Sequence, residues 1–147
     1  MRNPYDRVIS YYYYQNRVQD MDYLNNKNRL NEYVLQVLAK YRTGIIPASE
    51  YIFDEESGEQ IIDHVLYFET MDTDGKFDEL MKRFDLNITL PEKSLNARKG
   101  GDHLTTNDVS QKSIDYINTY YEKDFVSFGY QFMKGSEHAG LRTGRKK

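Results

Sequence analysis

The amino-acid sequence predicts a mostly helical α/β chain with only a few strands, and three observations carry that expectation. Four stretches repeat apolar residues at helical spacing. Two short apolar runs, "YIF" and "HVLYFE", flank an acidic turn in the manner of paired strands. One such hairpin cannot form a sheet that covers its own faces, so the strands are expected to belong to a larger sheet.

The first helix is expected from Pro4 to about Asp20. Asn3 can cap it, and Pro4 fits the first turn, where a missing N–H is no loss. Val8, Ile9, Tyr12 and Tyr13 follow one side. The run Tyr11 to Tyr14 covers every face of a helix, so at most two of its rings can enter a core. Packing with hydroxyls at the surface is one reading of the others, and stacking on a sugar is the competing one. A second helix fits "NRLNEYVLQVLAKY", with Leu30, Val34, Leu35, Val37, Leu38 and Tyr41 on a broad apolar face. Gly44 and Pro47 end it.

The strand, turn and strand follow, with Glu55, Glu56, Ser57 and Gly58 in the turn. "DGKFDELMKRFDL" is a third amphipathic helix, using Phe77, Leu80, Met81 and Phe84. "LPEKSLNARKGGDH" reads as a loop. "TTNDVSQKSIDYINTYYEKDFVSFGY" is expected to form one last long helix, capped at Thr106 or Asn107 and stopped near Gly129. The organisation is one domain portion over 1–133, then a basic, disordered tail over 134–147.

The chain has 147 residues, 14 of them Tyr and 7 Phe, so aromatic rings must supply much of the core. Its mean hydropathy is -0.82. There is no Cys, which removes disulfides and zinc-thiolate sites. No apolar stretch approaches the roughly 20 residues of a membrane span. The net charge of -3 is unevenly spread. Residues 43–95 hold 13 acidic and 4 basic side chains, whereas 1–42 hold 7 basic and 4 acidic. The middle would repel a polyanion, which argues against nucleic acid, while the start could hold a small anion.

That start, "RNPYDRVIS", offers a helix N-terminus with Arg2 just outside it and Ser10 about two turns along. A charged Arg and a short hydroxyl in this order can hold a phosphate between them. "RNPYDRVIS" resembles the 3′-phosphate-binding motif of the sulfotransferases that use 3′-phosphoadenosine 5′-phosphosulfate (PAPS), in their carbohydrate, Golgi-type branch. "VLYFETM" resembles the family's strand ending in Glu, and "YYEKDFVSFGY" its closing signature, Tyr-x-x-Asp-Phe-x-x-Phe-Gly-Tyr. The three blocks occur in family order between Arg2 and Tyr130.

The resemblance implies a P-loop-like α/β fold with a parallel sheet, and PAPS as co-substrate. It implies transfer of a sulfuryl group to a hydroxyl, with a glycan as the favoured acceptor. Arg2 and Ser10 match the residues that hold the 3′-phosphate, and "ARKGG" suggests Arg98 and Lys99 for the same phosphate. The family's 5′-phosphosulfate loop and acceptor base belong upstream of the first block, so the expectation is a C-terminal portion that does not catalyse by itself. Met1 would then occupy a strand end. A non-catalytic helical binding module of the same fold is the alternative. The compartment follows from the source: cytoplasm for a bacterial or viral protein, Golgi lumen for a membrane-anchored eukaryotic one. His64, His103 and His138 show neither nucleophile nor metal spacing, and Glu69 reads as structural.

Overall fold

The computed structural model describes residues 1–40, 45–91 and 103–134, with side chains of 37–40 excepted. Among them, seven α-helices are formed: α1 (Pro4–Gln15), α2 (Met21–Leu24), α3 (Lys27–Lys40), α4 (Ser49–Ile52), α5 (Lys76–Arg83), α6 (Gln111–Tyr120) and α7 (Glu122–Phe128). A single 3₁₀ turn, Thr106–Asp108, precedes α6.

Helix α1 begins as expected. The Asn3 side chain accepts from the Tyr5 N–H at 3.0 Å, and Pro4 occupies the first turn. It ends earlier than expected, at Gln15, because the Asn16 amide folds back onto the Tyr12 carbonyl at 2.9 Å. Asp20 then caps α2, accepting from the Tyr23 N–H at 2.8 Å. The buried face of α1 is Tyr5, Val8, Ile9, Tyr12 and Tyr13. Leu30, Tyr33 and Val34 of α3 lie against it, with Ile114 and Ile117 of α6 and Tyr121 and Phe125 completing the core. Val37, Leu38 and Tyr41, expected on the same face of α3, lie outside the described side chains, as does the Gly44 stop.

The tetra-tyrosine run divides as its spacing requires. Tyr12 and Tyr13 are buried, Tyr11 is half-buried, and Tyr14 is exposed beneath the Arg17 guanidinium. Both buried hydroxyls are satisfied: Tyr12 donates to the Tyr23 carbonyl at 3.0 Å, and Tyr13 donates to Asn25 at 2.8 Å while accepting from the Leu104 N–H at 2.9 Å.

Two expectations are corrected. The "YIF" strand is instead the end of the helical turn α4, followed by Phe53, whose antiparallel bridge to Gln60 is isolated. Its cause is tertiary: the Asp124 carboxylate accepts from the Ala48 and Ser49 N–H groups, each at 2.8 Å, which fixes a helix start where local preference is for a strand. The turn itself forms, with the Asp54 carboxylate accepting from the Ser57 N–H and hydroxyl at 2.8 Å. "HVLYFE" makes no strand ladder among the described residues. Its backbone does meet the chain start, however. The Leu66 carbonyl accepts from the Met1 nitrogen, and the Phe68 N–H donates to the Met1 carbonyl at 2.6 Å. Two bonds from one residue to either side of Tyr67 have the slant of a parallel pairing.

The expected single last helix is also divided. Thr105 and Asp108 form a reciprocal capping box on the 3₁₀ turn, and Ser110 caps α6. A break at Tyr121 (φ -107°, ψ 19°) then separates α6 from α7. There the Tyr121 hydroxyl donates to the Ile45 carbonyl at 2.6 Å, a buried bond, while the Tyr121 N–H still donates to the Ile117 carbonyl at 2.9 Å and its carbonyl accepts from the Phe125 N–H at 3.0 Å. Gly129 stops α7 in the left-handed conformation (φ 71°), which glycine adopts without Cβ strain.

Candidate functional site

The three motif blocks meet around the start of α1. Glu69, from the second block, accepts from the Asn3 N–H of the first at 2.6 Å and from the Tyr130 hydroxyl of the third at 3.0 Å. Arg7 of the first block donates to the Ile46 carbonyl at 2.6 Å and stands 3.7 Å from Asp124 of the third. Its guanidinium also lies over the Tyr121 ring, 5.8 Å from the centroid. Tyr5 donates to Asn118 on α6, accepts from the Met133 N–H at 2.9 Å, and packs its ring 5.0 Å from Phe125.

These contacts give the closing signature a physical content. Tyr121 holds the Ile45 carbonyl, Asp124 caps α4, and Phe125 fills the core. Phe128 meets Phe53 at 6.0 Å, Gly129 terminates the helix, and Tyr130 binds Glu69. Glu69 is therefore structural, as its sequence position suggested. Desolvation first, and then the Glu69 contact, push the Tyr130 hydroxyl well above the ordinary tyrosine range.

The two arginines of the first block have different work. Arg7 is committed to Ile46, Asp124 and Tyr121. Arg2 makes no hydrogen bond or ion pair among the described residues, and its guanidinium rests on the Phe68 ring at 4.7 Å. A cation held flat on an aromatic face keeps its N–H edges available to an anion. Ser10 lies half-buried on α1, its hydroxyl without a hydrogen-bond partner among the described residues. At 1.5 Å of rise per residue the two backbones stand roughly 10–12 Å apart, a span that an extended Arg and one phosphate can bridge. Asp6 lies between them in the first turn and sets a negative charge beside that path. The structure thus leaves Arg2 and Ser10 at one helix without direct contact between them.

Arg98 and Lys99 lie outside the described residues, as does His138. His64 is exposed against the Phe84 ring, and His103 packs edge-on against Tyr13 at 5.8 Å. No group of three or more metal-ligating side chains occurs among the described residues.

Comparison of the chain with protein-family models, with curated proteins and with solved structures returns no match.

The division of labour between Arg2 and Arg7 was not legible in sequence, since both stand in "RNPYDR". Helical spacing held no signal for it: Arg7 is two and five residues from Tyr5 and Tyr12 and so lies off the side of α1 that they share.

Proposed function

We propose that this chain is the C-terminal, 3′-phosphate-binding portion of a PAPS-dependent sulfotransferase of the carbohydrate type, with a P-loop-like α/β fold. One observation supports this reading above the others. The three stretches that resemble the family are joined through Glu69 and through Arg7 and Asp124, leaving Arg2 as an uncommitted cation at the start of α1.

In this reading Arg2 takes the 3′-phosphate through charge-assisted hydrogen bonds, and the Ser10 hydroxyl donates to the same phosphate. Arg98 and Lys99 add positive charge to that phosphate. PAPS supplies the sulfuryl group that passes to an acceptor hydroxyl, a glycan by preference. Sulfuryl transfer rests on positioning and on stabilising charge as it develops, much as phosphoryl transfer does. A 3′-phosphate clamp provides the positioning alone, so the 147-residue polypeptide by itself binds without turnover.

The test is a calorimetric titration with adenosine 3′,5′-bisphosphate and, in parallel, adenosine 5′-monophosphate. The bisphosphate should bind more tightly. Arg2→Ala should weaken it by about 1.5–3 kcal/mol, as for a charged hydrogen bond, and should leave the monophosphate unchanged. Equal affinity for the two nucleotides, or an unaltered Arg2→Ala variant, would remove the site.

A second reading, a non-catalytic binding module of the same fold, is favoured by one other observation: no side chain between Glu50 and Pro91 is buried.

A further inference from the structure

The stretch Leu86-Asn87-Ile88-Thr89-Leu90 alternates apolar and polar residues with a period of two, the pattern of a half-covered β-strand. Isoleucine and threonine favour that conformation. Yet the stretch pairs with nothing among the described residues. The N–H groups of Asn87, Ile88, Thr89 and Leu90 have no acceptor there, and Leu86 and Ile88 are 46% and 54% exposed.

The exposure continues beside it. Phe84, just past α5, is exposed, and the His64 ring meets it edge-on at 5.9 Å. Isolated exposed apolar residues are ordinary, but a cluster with a row of unpaired amides marks an interaction surface. The surroundings specify its charge. Between Glu50 and Pro91 stand 12 acidic and 3 basic side chains, and Asp63 and Asp85 adjoin the contacting pair His64 and Phe84 in the chain. An acidic or purely apolar partner would leave these carboxylates uncompensated, whereas a basic one gains from them.

We propose that Leu86–Leu90 is a docking edge for an extended polypeptide segment that alternates apolar and basic residues, added as a strand. Backbone hydrogen bonds to the alternate amides of one edge, Asn87 and Thr89, supply the affinity. Leu86, Ile88 and Phe84 receive the apolar side chains, and Asp63 and Asp85 meet the basic ones. This inference does not rest on the nucleotide reading, and neither Arg2 nor Ser10 takes part in it.

The experiment uses the whole chain and a fluorescein-labelled (Leu-Lys)4 peptide, followed by anisotropy. Controls are (Leu-Glu)4 and a peptide of the same Leu and Lys content in helical order. The alternating basic peptide should bind one-to-one, more tightly than either control. Ile88→Ser leaves the charge unchanged and should weaken it about tenfold, with the far-UV spectrum unaltered. Thr89→Pro, which deletes one edge amide, should weaken it similarly. Amide exchange at Asn87 and Thr89 should slow when peptide is bound. Equal binding of (Leu-Glu)4, full affinity in Ile88→Ser, or self-association of the chain through this edge without peptide would each overturn the proposal.

Discussion

Arg7 on α1 and Asp124 on α7 approach to 3.7 Å, and the same buried carboxylate accepts two backbone N–H groups from the start of α4. Three segments far apart in sequence thus converge on one charged side chain that is 1% exposed. Replacing Asp124 with Ala leaves the Ala48 and Ser49 N–H groups without an acceptor and the Arg7 guanidinium with the Ile46 carbonyl alone. The expected loss is about 3–5 kcal/mol, from breaking a buried pair at one partner. Asp124→Asn keeps one acceptor oxygen and should lose less. Urea denaturation followed by far-UV circular dichroism checks both. A loss below about 1 kcal/mol in Asp124→Ala would show that α4 does not need this cap.

Tyr5 and Tyr121 make the corresponding neutral test. Tyr5→Phe removes the donor to Asn118 and the acceptor for Met133, and Tyr121→Phe strands the buried Ile45 carbonyl. Each should cost about 1–3 kcal/mol, the range for leaving a buried polar group unsatisfied. Tyr14→Ala, on the exposed face, should stay within about 0.5 kcal/mol of the parent. The same urea experiment ranks the three.

Glu69→Ala should separate the motif blocks without collapsing the core, since Glu69 is exposed while its partners belong to elements held elsewhere. The expected cost is about 0.5–1.5 kcal/mol, two screened hydrogen bonds. The informative readout is local: amide exchange at Asn3 and proteolysis within 66–70 should accelerate, while Val8 and Ile117 stay protected.

Alkaline pH should destabilise the fold. Burial raises the Tyr12 hydroxyl to about 12 and lifts Tyr33 and Tyr121 further, all from an ordinary value near 10. The unfolded chain therefore releases these protons first, and stability falls as pH rises above 10. Below pH 10 both states keep them, and the contribution is fully present. Between 10 and the folded value, each such tyrosine contributes a slope of up to about 1.4 kcal/mol per pH unit. Urea midpoints measured from pH 7 to 12 should be level with respect to these groups until about 10 and then drop steeply. A midpoint independent of pH above 10 would mean that the hydroxyls do not ionise on unfolding.

Helix periodicity was legible wherever one face met a core. The caps at Asn3 and Gly129, the helix face of α1 and the burial of Tyr12 and Tyr13 alone among the four tyrosines all follow from local geometry. The third helix shows the limit of that reasoning: Phe77, Leu80 and Met81 form the expected row on α5, and none is buried, because the described residues set no layer against it. Of the candidate site, sequence placed Arg2 at the cap and Ser10 on the helix beyond it. It could not separate Arg2 from Arg7, because availability depends on what the third block brings across.

By itself, then, the sequence determined the start of α1 at Asn3, the stop of α7 at Gly129 and which face of α1 is apolar, since spacing, capping and glycine conformation act over a few residues. Tertiary structure alone decided that "YIF" joins a helical turn, that the last helix divides at Tyr121, and that among the described residues Arg7 has a carboxylate partner while Arg2 has only the Phe68 ring. The Asp124, Tyr121 and Glu69 contacts that join these segments span 61 to 76 residues of chain. A hydrogen bond to a buried group that far away can outweigh a local preference of well under 1 kcal/mol per residue.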